Sequence, residues 1–215
     1  MSATPAPATK KVNLRTPEVM EAVQAQVEKH YRSHAVEFVR ATGQPLVAKD
    51  MTVVLAKAFG FCYGVERAID LAYAAAKVFK DKRIFLLGEI IHNPEVNEQL
   101  REMGIQSLKR GPKGYDLSGL TAEDVVIVPA FGAEVETMEH LKKLGCQTVD
   151  TTCGDVMSVW KRVRQYNKER VTSIIHGKAS HEETMATSSR ALSGDGLGHY
   201  LVVYNLAETD YVCDY

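Results

Sequence analysis

Twice in this chain a short apolar run breaks at a tight turn and resumes as a helical pattern, and both times the residue at the break is a cysteine. The first copy reads VVLAKAFGFCYGVERAIDLAYAA around Cys62, and the second CQTVDTTCGDVMSVWKRVRQY around Cys153. Each thiol is therefore expected beside a helix N-terminus, where unpaired N–H groups and the helix dipole favour a thiolate and hence a soft metal ligand. The two cysteines lie too far apart for a local zinc knuckle. They ask instead for a site assembled between separate α/β units.

The rest of the chain repeats the alternation. Strands are expected at 52–56, 84–87, 125–128, 172–175 and 200–203. Between them come a helix over 64–79, one opening at Asn93-Pro94, a Gly/Lys/Pro loop at 109–119, and helices over 135–144 and from Cys153 to about 168. A polar segment holds His181, and a helical stretch ends the chain. Ahead of this, residues 1–15 read as a disordered tail. Thr16, Pro17 and Glu18 then start a helix whose Val19, Val23, Val27, Tyr31 and Ala35 form one stripe, ending near Gly43. The expected organisation is a tail (1–15), a helical extension (16–50), a first α/β domain (51–153) and a second, incomplete one (154–215). Such a fold has mainly parallel sheets with ligands at the strand C-terminal ends. Cys62, His92, Cys153 and His181 all follow predicted strands.

Composition narrows the function classes. With 26 basic residues against 27 acidic ones, the chain offers no polyanion-binding surface, which argues against nucleic acid. No apolar run approaches the ~20 residues that span a bilayer, and the N-terminus has no apolar signal core, so a cytoplasmic protein without a membrane partner is expected. Four cysteines without close pairing read as reduced thiols or ligands. No nucleotide fingerprint appears, because Gly194, Gly196 and Gly198 in SGDGLGHY follow no strand.

The runs GFCYGVERAI, EIIHNPEVNEQLREMGI, PAFGAEVETMEHLKKLGCQTVDTTC and IHGKASHEETMATSS, in that order from Val53 onward, resemble the 4-hydroxy-3-methylbut-2-enyl diphosphate reductase (IspH/LytB) family. That resemblance implies three similar α/β domains around a central cavity, where three cysteines hold a [4Fe-4S] cluster. Cys62 matches the first ligand and Cys153 the second. The third belongs to a domain that would follow Tyr215, so the chain is expected to be truncated at its C-terminus. His92 and His181 match the substrate-diphosphate histidines and Glu183 the proton-relay glutamate. The implied reaction removes the substrate hydroxyl reductively to give isopentenyl and dimethylallyl diphosphate, with electrons from a ferredoxin or flavodoxin. One departure is Phe131 in PAFGA, where many members carry a histidine; phenylalanine supplies no hydrogen bond to a phosphate.

Read without the resemblance, each residue has a plainer alternative. Cys62 and Cys153 are also placed as buried core thiols, though Gly60 and Gly64 around the first and Asp150, Thr151 and Thr152 before the second suit a cavity edge. Cys146 reads as a core or surface thiol, and Cys213 matches no ligand position. Glu182 competes with Glu183, because helical neighbours point about 100° apart and only one faces a cavity. A non-catalytic α/β binding module, an inactive fragment of the reductase, and a zinc hydrolase built on His92, His181 and a carboxylate remain the alternatives to an active reductase.

Overall fold

Thr16 accepts from the Val19 N–H (3.5 Å) and Pro17 follows, which starts helix α1 at Pro17–Tyr31. The computed structural model describes residues 12–112, 114–192, 194 and 198–215. Residues 1–11 of the expected tail, and Gly196, lie outside the described residues. Leu14 is buried in the main core, so the tail expected to run to residue 15 is anchored before α1 begins. The single helix expected to reach Gly43 is two. Arg32 is extended and Ser33 supplies a second N-cap, opening α2 (His34–Thr42), which closes on Gly43 at φ 66°.

A hairpin follows, β1 (Leu46–Ala48) against β2 (Met51–Val53), turning through Lys49 at φ 52°. The expected strand at 52–56 thus ends at Val53 and pairs antiparallel, outside the parallel sheet. Next come α3 (Tyr63–Val78), β3 (Ile84–Leu87), α4 (Pro94–Glu102), β4 (Ile105–Leu108), the two-residue strands β5 (Arg110–Gly111) and β6 (Gly114–Tyr115), and β7 (Val125–Val128). The chain continues through α5 (Val135–Leu144), β8 (Gln147–Asp150), α6 (Gly154–Lys168), β9 (Ser173–His176), α7 (Glu182–Ala191), β10 (Tyr200–Val203) and α8 (Leu206–Asp214). The expected loop at 109–119 contains the β5–β6 hairpin, and β4 and α7 are elements that the sequence pattern did not announce.

Four strands form one parallel sheet in the order β4-β3-β7-β8. IFLL and VVIV in its centre are buried at every position, because helices cover both faces. Ile84, Leu86, Val125 and Ile127 face a core built from α1, α3 and α4. Phe85, Leu87, Val126 and Val128 face Leu141 of α5 together with Leu117 and Leu120. Alanines at 68, 72, 74 and 75 are fully buried on α3, so the helix approaches closely enough to carry its N-terminus to the sheet's C-terminal edge. A second parallel pair, β9-β10, packs with α6 and α7. Trp160 of α6 donates from Nε1 to Thr187 of α7 (3.1 Å) in a buried contact, which explains why a polar helix is nonetheless well seated. Among the described residues no helix is long and apolar enough to cross a membrane.

Candidate active site

The loops that leave β3, β7, β8 and β9 carry nearly every candidate residue, and backbone hydrogen bonds lace three of them together. Ala130 N–H donates to Ile90 O (3.1 Å), and Cys153 N–H donates to Ala130 O (2.8 Å). Thr151 donates to Val128 O from its N–H (3.1 Å) and its hydroxyl (2.6 Å). Asp150 accepts from the Thr152 N–H at 2.9 Å. The histidine loop after β3 and the cysteine loop after β8 are therefore held on opposite sides of the Pro129–Gly132 turn.

Cys62 and Cys153 occupy the N-cap positions of α3 and α6, and neither side chain makes the capping bond that a Ser or Asp there would make. Neither is in a disulfide. Gly64 brings them together. A methyl group added there would stand 2.5 Å from Cys153 Sγ and 3.9 Å from Cys62 Sγ, so the two sulfurs flank a gap that exists because residue 64 has no side chain. Arg67 donates from Nη1 to Thr151 O (3.3 Å) and Thr152 O (3.2 Å), which ties α3 to the loop ahead of Cys153. The Tyr63 hydroxyl lies 4.0 Å from Cys153 Sγ. Its hydrogen bonds to Asp155 and then to Cys153 push its pKa up to about 12. Two soft thiols from separate loops, converging on a glycine-lined gap, form a donor set that fits an iron–sulfur group. Cys146 lies at the other end of β8, buried, with its thiol donating to Thr121 O (3.3 Å) and its pKa raised by burial. Cys213 is exposed on α8.

The histidines meet each other. His92 Nε2 and His181 Nε2 are 3.0 Å apart, and the flat face of His92 stacks on Phe131 at 4.9 Å between centroids. Hydrogen bonding fixes both tautomers. His181 caps α7 by accepting the Glu183 N–H at Nδ1 (3.2 Å), so its proton sits on Nε2. That proton is donated to His92 Nε2, which must present a lone pair. The His92 proton then sits on Nδ1 and is donated to Glu89 Oε2 (3.0 Å). His92, His181 and Glu182 offer ligand atoms within 4.8 Å of one another, the grouping of the zinc alternative. The α7 cap works against that reading, because a His181 Nε2 that carries a proton donates rather than ligates.

Glu182 and Glu183 separate as helical neighbours should. The Glu182 carboxylate reaches 4.0 Å from His92 Nε2, whereas Glu183 is exposed and engages His181 through its backbone N–H. Three contributors escaped the sequence reading. Glu89 orients His92; Asn97 accepts from Ile90 N–H (3.0 Å) and donates to Ile91 O (2.8 Å), bracing the loop; Tyr63 reaches Cys153. Asn97 lies beside the buried Val96 on α4 and is itself half-buried. Nearby, Arg110 forms a two-point pair with Glu134, with both Nη–Oε distances 2.7 Å. Two open grooves of 460 and 570 Å³ lie beside β10–α8 and on the β5–β6 hairpin, and neither is lined by Cys62 or Cys153.

Comparison with known proteins places the chain in a family. The family model described as "LytB protein" matches residues 53–213. A 4-hydroxy-3-methylbut-2-enyl diphosphate reductase from Thermosynechococcus vestitus is 49% identical over 195 residues, covering 91% of this chain and 47% of the relative. One of the same name from a Synechocystis strain is 48% identical over 185 residues, covering 86% and 47%. Two solved structures superpose on the fold. One is described as (E)-4-hydroxy-3-methyl-but-2-enyl diphosphate reductase, the terminal enzyme of the non-mevalonate pathway (TM-score 0.61, 28% identity, 75% of this chain and 54% of that one). The other is the Plasmodium falciparum reductase (TM-score 0.63, 28% identity, 72% and 45%). The chain spans about half the length of the curated relatives it matches.

Proposed function

The chain belongs to the LytB family, and from that premise we propose that it forms part of a 4-hydroxy-3-methylbut-2-enyl diphosphate reductase. The observation that carries this reading is the convergence of Cys62 and Cys153 on the gap beside Gly64. These two thiolates would hold a [4Fe-4S] cluster. The third thiolate comes from the portion of the relatives that this chain does not span. When bound, such a cluster supplies electrons one at a time and an iron open to the substrate oxygen. A ferredoxin or flavodoxin is the proposed donor of those electrons.

The remaining work belongs to the protein. His181 donates from Nε2 to a diphosphate oxygen, in a tautomer set by the α7 cap, and His92 is held beside it by Glu89 and Phe131. Phe131 has no hydrogen bond to give, and its part is to fix the His92 ring. Glu183 is the proposed acid that delivers a proton to the departing hydroxyl, so that the C–O bond breaks with loss of water. Its exposed carboxylate and its place beside His181 support this role, while Glu182 is turned toward His92. Two electrons and two protons overall convert the substrate to isopentenyl or dimethylallyl diphosphate.

The test is to extend the chain with the C-terminal portion of the Thermosynechococcus relative, reconstitute it anaerobically with iron and sulfide, and supply substrate with a strong artificial reductant. Formation of both products is expected. A protein that assembles the cluster yet forms neither product overturns the assignment.

A further inference from the structure

We propose that binding of a diphosphate is coupled to the uptake of one proton at His92, and that Glu89 is the positioning residue that imposes the coupling. The inference rests on the reading of the His92–His181 pair as the diphosphate site and goes beyond it.

The argument follows from proton counting. In the unliganded pair one hydrogen lies between the two Nε2 atoms, donated by His181 and accepted by His92 at 3.0 Å. His181 has no freedom to change this, because its Nδ1 already accepts the Glu183 N–H. A diphosphate oxygen is an acceptor. Entering between the rings, it takes over the His181 Nε2–H and meets a lone pair on His92, which repels it. While Glu89 keeps its contact with Nδ1, His92 removes the conflict in one of two ways. It gains a proton from solvent at Nε2 while Nδ1–H stays on Glu89, or it moves its proton to Nε2 and leaves a lone pair facing the Glu89 carboxylate, which must then itself be protonated. Both routes consume one proton per diphosphate bound.

The charged surroundings favour the first route. Glu89 Oε2 lies 3.0 Å from Nδ1 and Glu182 Oε2 4.0 Å from Nε2, so each ring nitrogen has a carboxylate placed to accept from it. The third ring, Phe131, carries no charge, and the Glu183 carboxylate is exposed rather than paired with either ring. Tyr115 senses Glu182, and Arg110 is already engaged by Glu134. No other described cation pairs with His92.

Long-range proton–nitrogen spectra of the histidine-labelled chain test this before and after addition of isopentenyl diphosphate at pH 8, where the ligand is ionised. Without ligand, His92 is expected as the Nδ1–H tautomer and His181 as the Nε2–H tautomer; any other pair of tautomers overturns the inference at once. With ligand, His92 should become doubly protonated while His181 keeps its tautomer. In Glu89→Gln the amide turns its NH₂ toward Nδ1, so a neutral His92 presents Nε2–H. On addition of ligand the double protonation should then be absent, and its persistence overturns the role given to Glu89. Ligand-induced shifts at both rings with His92 still neutral in the parent chain remove the coupling and leave the diphosphate site standing. No shift at either ring removes both.

Discussion

Trp160 of α6 lies across Gly132 so closely that a methyl group on the glycine would sit 2.2 Å from the indole Cη2. Gly132 also has φ 82°, a region that costs any other residue. The turn that laces the histidine loop to the cysteine loop is thus pinned from the α6 side. Gly132→Ala should cost about 2–4 kcal/mol of folding stability, from overpacking and backbone strain together. Urea denaturation is expected to show a lower midpoint with an unchanged slope.

Gly64→Ala separates folding from site assembly. The position is helical, where alanine is worth up to about 1 kcal/mol, but it is also buried against Cys153 Cβ at 3.3 Å, so overpacking of about 1–3 kcal/mol offsets that gain. The new methyl would meet Cys153 Sγ at 2.5 Å. A chain that still folds cooperatively with at most a modest loss of melting temperature, while iron incorporation after anaerobic reconstitution falls severalfold, is the expected pair of results.

Acid should weaken the sheet through Asp124. Burial raises the pKa of this carboxyl, but the two-point bond from Arg83 and those from Thr121 outweigh burial and leave it net lowered. A folded-state pKa below the unfolded one gives stability that is present above about pH 4 and lost as pH falls through the folded value. Asp124→Asn should cost about 1–3 kcal/mol at pH 7, and the difference from the parent should shrink as pH falls below about 4 in chemical denaturation at each pH.

In the extended enzyme, Glu183→Gln should keep cluster absorbance and substrate binding while turnover falls roughly 10²–10⁴-fold, since the amide keeps the shape but supplies no proton. Glu182→Gln is the matched control, with a smaller loss that shows mainly in substrate affinity. Single-turnover rates and binding isotherms of the two variants check the division of roles.

Signals that act locally were legible in the sequence. Asn93-Pro94 announced α4 because a cap and a fixed φ operate within one turn, and IFLL and VVIV announced the central strands because burial on both faces leaves no polar alternation. The placement of His92, Cys153 and His181 just after parallel strands was legible in the sequence, whereas Cys62 follows the β1–β2 hairpin at a distance, outside the parallel sheets. The break at Ser33 was not legible, since the apolar spacing runs on past it to Ala35, which is exposed. Nor was α7. Its buried residues are Thr184, Thr187, Ser188 and Arg190 with only two small alanines, Ala186 and Ala191, so the hydrogen bond from Trp160 to Thr187 stands in for part of the apolar stripe that marks other helices. Glu89 left no signal because its partner is fixed by the turn after β3 and not by a periodic spacing.

The most direct test of the central claim is the iron and sulfide content of the anaerobically reconstituted extended protein, measured for the parent and for four single variants: Cys62→Ser, Cys153→Ser, Cys146→Ser and Cys213→Ser. The account predicts severe loss in the first two, with Cys146→Ser and Cys213→Ser at the parent's content, because only Cys62 and Cys153 face the gap beside Gly64. Full cluster content in Cys62→Ser or Cys153→Ser, or loss in Cys146→Ser or Cys213→Ser, would contradict it.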